Sequence, residues 1–189
     1  MDQRRRLTDL MLLEVLEAFR EAGLLPRCYV VSSDRLALAF ARRVGALAIE
    51  EPRDRGVNAA VLTGVRALGS IANFMVVPSD LPTLTAEEIK MAIDMKRTFD
   101  CVLTPSHSLD GTNLLLFSQR AMPALSYDSD SFWSHICGAG RKALTLAIYC
   151  GVGIMFDVDT PEDLRTLSVS RRRTPSAVFA KEVLHRRLS

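Results

Sequence analysis

"NFMVVPSDLPTLTAEEIKMAIDMKR", residues 73–97, decides the fold class. The apolar run from Asn73 to Pro78 reads as a short buried strand. Asp80 follows at its mouth, held between Pro78 and Pro82. Thr85 and Glu88 then stand in T-x-x-E spacing ahead of Ile89, Met91, Ala92 and Ile93. That is a capping box opening a helix that runs to about Arg97. A strand feeding a helix is the building unit of an α/β sheet protein. Ligands of such sheets bind beyond the carboxyl ends of the strands. Asp80 is therefore either an acid aimed at a ligand or a plain turn residue.

The alternation extends in both directions. Leu7, Leu10, Met11, Val15, Leu16 and Phe19 recur at helical spacing, so residues 4–22 read as an amphipathic helix ended by Gly23. A strand at 27–33, a helix at 34–45 between Asp34 and Gly45, and a strand at 46–50 follow. Residues 58–69 read as a helix with Asn58 as its N-cap. Strands at 101–106 and 113–118 flank a loop holding His107 and Gly111. A helix is expected over 131–142, and strands over 144–150 and 153–158. Thr160 caps a last helix with Pro161 in its first turn. The expected architecture is α/β, with a mainly parallel (mixed) central sheet and helices on both faces.

Composition narrows the function classes. The chain has 189 residues, 48% hydrophobic and 24% charged, which fits one globular domain with a real core. The net charge of +2 gives no overall bias toward nucleic acid. No apolar run approaches the roughly 20 residues of a membrane span. Asp9, Glu14 and Glu17 interrupt the apolar N-terminal stretch at helical spacing, which argues against a secretory signal. Cys28, Cys101, Cys137 and Cys150 are scattered without a C-x-x-C pair. They read as reduced, buried thiols of a cytoplasmic protein. After about Ser170, Arg171, Arg172, Arg173, Lys181, Arg186 and Arg187 face one acid, Glu182. This reads as a solvated, partly helical or disordered basic tail.

Three groups of residues could carry chemistry. Asp157 and Asp159, two apart on the expected strand 153–158, would point to one face. If that strand neighbours the one before Asp80, three carboxylates converge. Crowded carboxylates repel, and a hard cation such as Mg²⁺ relieves the repulsion. The alternative is that Asp80 and Asp159 only cap a turn and a helix. In "HSLDGTNLLLF" (107–117) the turn at Gly111 delivers Thr112 and Asn113 to a strand start, where a hydroxyl and backbone amides can hold anionic oxygens. A plain hairpin is the alternative. In "YDSDSFWSHI" (127–136) Ser131 opens a helix and His135 follows one turn later on the same face. The alternative is a capped helix with a half-buried histidine. No P-loop, zinc cluster or Ser/His/Asp triad is present.

"RGVNAAV", "PSDLPTLT", "GTNLLLF", "SFWSH" and "FDVDTPEDL" occur in this order. Together they resemble the CofC-type guanylyltransferases, which make phospholactate or phosphoenolpyruvate derivatives in deazaflavin cofactor biosynthesis. That family lies within the nucleotide-diphospho-sugar transferase-like superfamily. The resemblance covers about Arg4 to Leu167, so residues 1–168 are expected as a nucleotidyltransferase-like domain and 169–189 as the tail. It implies transfer of GMP from GTP to a small phospho-acid, with release of pyrophosphate. Carried over, Asp80 and Asp159 are catalytic, and Asp80, Asp157 and Asp159 hold Mg²⁺. Thr112, Asn113, Ser131 and His135 bind the acceptor, and Asn58 with Asp80 binds the nucleotide. GTP and the phospho-acid are the expected partners, with a homodimer left open. A molybdopterin guanylyltransferase-like enzyme and a non-catalytic ligand-binding or interaction protein on the same fold remain alternatives.

The chain departs from the family pattern in two places. A strand and a Lys-rich loop, K-x-x-x-x-A-K-S-R-L in outline, precede the first helix in the family. Here Met1 stands just before that helix. The expectation is a true start upstream of Met1 or an impaired copy, and a sheet lacking a strand between 27–33 and 73–78. The family's Y-G-x-G-S-F reads Tyr127-Asp128-Ser129-Asp130-Ser131-Phe132 here, and Asp110 replaces a glycine before Gly111. Acids beside an anionic acceptor predict weakened acceptor binding.

Overall fold

The computed structural model describes residues 3–69 and 71–186. In chain order the elements are α1 (Gln3–Glu21), β1 (Tyr29–Ser32), α2 (Arg35–Val44), β2 (Leu47–Glu50), α3 (Val57–Leu68), β3 (Asn73–Val76) and α4 (Ala86–Met95). Then come β4 (Cys101–Pro105), β5 (Thr112–Ser118), α5 (Ser131–Arg141), β6 (Leu146–Ile148), α6 (Pro161–Ser168) and α7 (Pro175–Arg186). Local sequence accounts for most boundaries. Asp34 accepts from the amides of Leu36 and Ala37 to start α2, and Gly45 ends it in the left-handed region at φ 103°. Thr85 and Glu88 form the reciprocal capping box of α4, and Thr160 and Asp163 form that of α6.

Strand β5 shows how the layers form. Leu114 and Leu116 enter one core with Val15, Ala18 and Phe19 of α1 and Ile89 and Ala92 of α4. Leu115 and Phe117 enter the other with Phe74, Phe132 and the α3 side chains Val65 and Leu68. Alternate residues thus face opposite layers, and the sheet carries helices on both faces as expected. The strand order is β3-β5-β4-β6. β4 and β6 are parallel, whereas β5 runs antiparallel to both β3 and β4. Three of its four strands, β3, β4 and β6, therefore run one way and β5 alone runs against them, which is the mixed sheet expected. The short 106–111 loop cannot supply the crossover that a parallel β4–β5 pair would need.

The resemblance places a further strand between β1 and β3. Among the described residues none pairs there. β1 and β2 form a separate parallel pair, with Tyr29 opposite Leu47 and Ser32 opposite Glu50. Helices span the break. α1 contributes Leu12 and Leu16 to the core under β1 and Val15 and Phe19 to the core under the larger sheet. On the other face, a Cβ added at Gly64 of α3 would stand 3.3 Å from Val31.

Four expectations need correction. Asn58 does not cap α3, whose N-cap is Gly56 at φ 81°; Asn58 lies inside the first turn. Residues 153–158 form no strand but a turn and an extended connector. The amides of Gly153 and Ile154 bond to Glu88, and the carbonyls of Ile154 and Met155 bond to the Asn113 amide. With side chains satisfying its backbone, this segment has no need of a neighbouring strand. The cysteines are free, but only Cys101 is buried; Cys28 is half-buried, and Cys137 and Cys150 are exposed.

The basic tail is not solvated throughout. Residues 175–186 form α7, which buries Ala177, Phe179, Ala180 and Val183. Ala177 and Ala180 pack with Leu167 of α6 and with Leu7 of α1. The Glu14 carboxylate accepts the Ser176 amide at 2.7 Å and the Ser176 hydroxyl at 2.6 Å, so α1 caps α7. Arg172 donates to the Thr83 carbonyl at 2.6 Å. Arg187 lies outside the described residues. Among the described residues no helix is long and apolar enough to cross a membrane.

Candidate active site

The site is built where β3 hands over to α4. The Asp80 carbonyl accepts the Val158 amide at 3.2 Å. Val158 lies between Asp157 and Asp159, so that bond sets both acids beside Asp80. The Asp80 carboxyl is pushed up to about 6, first by burial and then by the charges of Asp159 and Asp157. Its Oδ1 is buried and has no hydrogen-bond partner. Asp159 is raised too, by burial and by Asp157. Asp80, Asp157 and Asp159 are thus electrostatically coupled across two chain segments. Among the described residues no group of three or more histidine, cysteine, aspartate or glutamate side chains is arranged to hold a metal ion.

His107, on the β4–β5 loop, is the residue that sequence reasoning left out of the site. Its Nδ1 is 2.9 Å from Asp157 Oδ1, and its Nε2 is 3.3 Å from Asp163 Oδ1. The bond to Asp157 raises the imidazole above its ordinary value, against partial burial. With His107 engaging Asp157, Asp80 is left with a buried oxygen that has no partner, and Asp159 stands exposed beside it. The available signal was position alone: a histidine just past a strand's carboxyl end. Its partners stand far away in sequence.

A second cluster sits where β5 begins. Thr112 Oγ1 is 3.0 Å from His135 Nδ1 and accepts from Ser131 Oγ, also at 3.0 Å. His135 Nε2 accepts the Ser126 amide at 3.1 Å. Burial pushes His135 down to about 4. All three are buried, with His135 1%, Ser131 3% and Thr112 6% exposed. Asn113 is likewise turned inward: its amide donates to Ile154 and Met155 and holds the segment that leads to Asp157.

Asn58 lies at the rim. Its Oδ1 accepts the Tyr127 amide at 2.8 Å, and its Nδ2 donates to Asp128 at 3.2 Å. It thereby ties the start of α3 to the loop before α5. In that loop Asp130 adopts φ 53° and ψ 40°, the left-handed region that favours glycine. Asp110 is taken up by the hydroxyls of Ser106 and Ser108, which hold its carboxyl below the usual range. Replacing Asp130 by glycine is expected to stabilise the fold by about 1 kcal/mol through relief of that backbone strain. Thermal denaturation measures it, and an unchanged or lower midpoint would refute it.

Comparison with known proteins bears on the family and the fold. Residues 1–185 match the family described as "Guanylyl transferase CofC like". A 3-phospho-D-glycerate guanylyltransferase of Phenylobacterium zucineum is 32% identical over 187 residues, covering 96% of this chain and 84% of its own. A phosphoenolpyruvate guanylyltransferase of Rubrobacter xylanophilus is 34% identical over 170 residues, covering 88% and 82%. A 2-phospho-L-lactate guanylyltransferase of Methanocaldococcus infernus is 29% identical over 164 residues, covering 87% and 72%. Among solved structures, a Desulfovibrio desulfuricans protein assigned to the nucleotide-diphospho-sugar transferases superposes with a TM-score of 0.74 at 16% identity, covering 96% of this chain and 83% of its own. That likeness bears on the fold, while the sequence match runs from α1 into α7. The chain belongs to the CofC-like guanylyl transferase family.

Proposed function

We propose that this protein is a guanylyltransferase that transfers GMP from GTP to a small phospho-acid, in deazaflavin cofactor biosynthesis. The observation that carries the reading is the buried, unpartnered Asp80 oxygen beside Asp157 and Asp159 at the carboxyl edge of β3. The three relatives described above are named for different acceptors, yet each acceptor is a phosphorylated carboxylic acid. An acceptor phosphate oxygen attacks the α-phosphorus of GTP. A new P–O–P link forms, the bond to the β-phosphate oxygen breaks, and pyrophosphate leaves.

The residues fit a divalent cation. Asp80 and Asp159 would hold Mg²⁺, with Asp157 steadied by His107. Mg²⁺ is usually bound by one or two carboxylates plus substrate phosphates, so a closed protein cage is not required. When bound, the ion supplies neutralisation of phosphate charge. The remaining work is positioning. Thr112 donates to the acceptor anion, and Ser131 donates to Thr112 behind it. Asn58, through Tyr127 and Asp128, fixes the loop between nucleotide and acceptor. Asp130 adds an exposed like charge near that anion and weakens its binding.

A pyrophosphate-release assay with GTP, Mg²⁺ and a panel of phospho-acids tests the reading. Release is expected with at least one of phosphoenolpyruvate, 2-phospho-L-lactate or 3-phospho-D-glycerate, and not without an acceptor. Silence with every nucleotide and acceptor pairing would overturn it.

A further inference from the structure

The polar cluster behind Thr112 has a direction. A backbone amide can only donate, so the Ser126 bond leaves His135 Nε2 without a proton. Burial keeps the ring neutral, so the remaining proton sits on Nδ1. Nδ1 faces Thr112 Oγ1 at 3.0 Å and therefore donates to it. Ser131 Oγ donates to the same oxygen. Both lone pairs of the Thr112 hydroxyl are then filled from within the protein. Its own proton must be given to a further acceptor.

We propose that His135 is a positioning residue that turns Thr112 into an obligatory hydrogen-bond donor, so that the site takes an accepting ligand oxygen, a charged one best, and rejects a ligand N–H that can only donate. This rests on the reading of Thr112 as the acceptor-binding group. The Tyr127 ring stands edge-on to His135 at 4.9 Å between centroids, and its buried hydroxyl makes no hydrogen bond to the imidazole. The chemistry selected is an anionic oxygen, from either the carboxylate or the phosphate of a phospho-acid. A carboxamide in place of the carboxylate, or a methyl ester on the phosphate, separates the two. The first presents N–H groups, and the second removes one charged oxygen.

Nitrogen-15 NMR of the free full chain at neutral pH is the first test. It should show His135 protonated at Nδ1 and bare at Nε2. A proton on Nε2, or a doubly protonated ring, would overturn the proposal whatever the protein catalyses. The second test is titration calorimetry with phosphoenolpyruvate, its carboxamide and its phosphate methyl ester. Wild type should bind one of the two analogues roughly tenfold to a hundredfold more weakly than the parent, because a fixed donor is left facing the wrong group. Both His135→Phe and Thr112→Val should shrink that ratio to within about threefold, and the double variant no further. His135→Asn, whose amide can donate from the Nδ1 position, should restore the ratio. A merely structural histidine predicts weaker binding of all three ligands with the ratio intact. That result, or equal binding by wild type, would overturn the proposal. Absence of pyrophosphate release with intact discrimination would count against the transferase reading and leave the orientation of Thr112 supported.

Discussion

Asp80→Asn is expected to lower guanylyl transfer by at least about two orders of magnitude while making the protein more stable at neutral pH. The two effects share one cause. Asp80 is held among Asp157 and Asp159 with a buried oxygen that nothing in the fold satisfies. Its carboxyl rises from 3.8 to about 6. A raised carboxyl favours the folded state below the unfolded value and loses that contribution as pH climbs through the folded one. Between pH 4 and 6 the ionising Asp80 therefore costs on the order of 3 kcal/mol, and the penalty is complete at pH 7. Asparagine keeps the shape and removes the charge. The variant's thermal midpoint should exceed wild type by several degrees at pH 7 and match it near pH 4. Turnover under saturating GTP and Mg²⁺ supplies the other half. Unchanged turnover would remove Asp80 from the metal site. A less stable variant at pH 7 would mean that the carboxylate is satisfied in the apo fold.

Glu88→Ala should be the most damaging single change to the fold. Glu88 is buried, and both of its oxygens are in use. Oε2 accepts from the amide and hydroxyl of Thr85, completing the α4 cap. Oε1 accepts the amides of Gly153 and Ile154 at 2.8 and 3.1 Å. Truncation leaves buried donors unpaired in two segments, at a cost of about 3 to 5 kcal/mol. For a chain of this size the midpoint should fall by roughly 10 °C. Transfer activity should fall as well, because the released connector leads to Asp157 and Asp159. Gly153 shows how tightly that connector is held: an added Cβ would stand 2.2 Å from the Thr83 carbonyl oxygen. Thermal unfolding decides the matter, and a shift below about 3 °C would show that water replaces the carboxylate without loss.

Much of the architecture was legible locally. Each capping box spans four residues, so Thr85 with Glu88 and Thr160 with its helix could be read without any fold. The apolar runs at 73–78, 101–106 and 113–118 announced strands because a strand buried on both faces needs apolar side chains in succession. Asp80 at a strand's carboxyl end was legible for the same reason, as was the order of the motifs that mark the family. Four features were not. The segment at 153–158 looked like a strand because apolar content does not say who satisfies the backbone. Asn58 looked like a cap because its type suits one, but its partners are residues 127 and 128. The tail looked solvated because its basic residues face a single acid, Glu182, although its apolar residues fall on the face that α1 and α6 cover. His107 looked like loop filling until the fold brought Asp157 and Asp163 to it.

The sequence by itself determined most of the elements, the two capping boxes, the candidate acids and the family resemblance. Periodicity and short-range hydrogen bonding are written within a few neighbouring residues. Only the tertiary structure decided which carboxylate oxygen stays unpartnered, which histidine nitrogen carries a proton and which amides Glu88 holds. Those depend on contacts between residues distant in the chain, 23 apart for Thr112 and His135 and 65 for Glu88 and Gly153, and no local pattern encodes them.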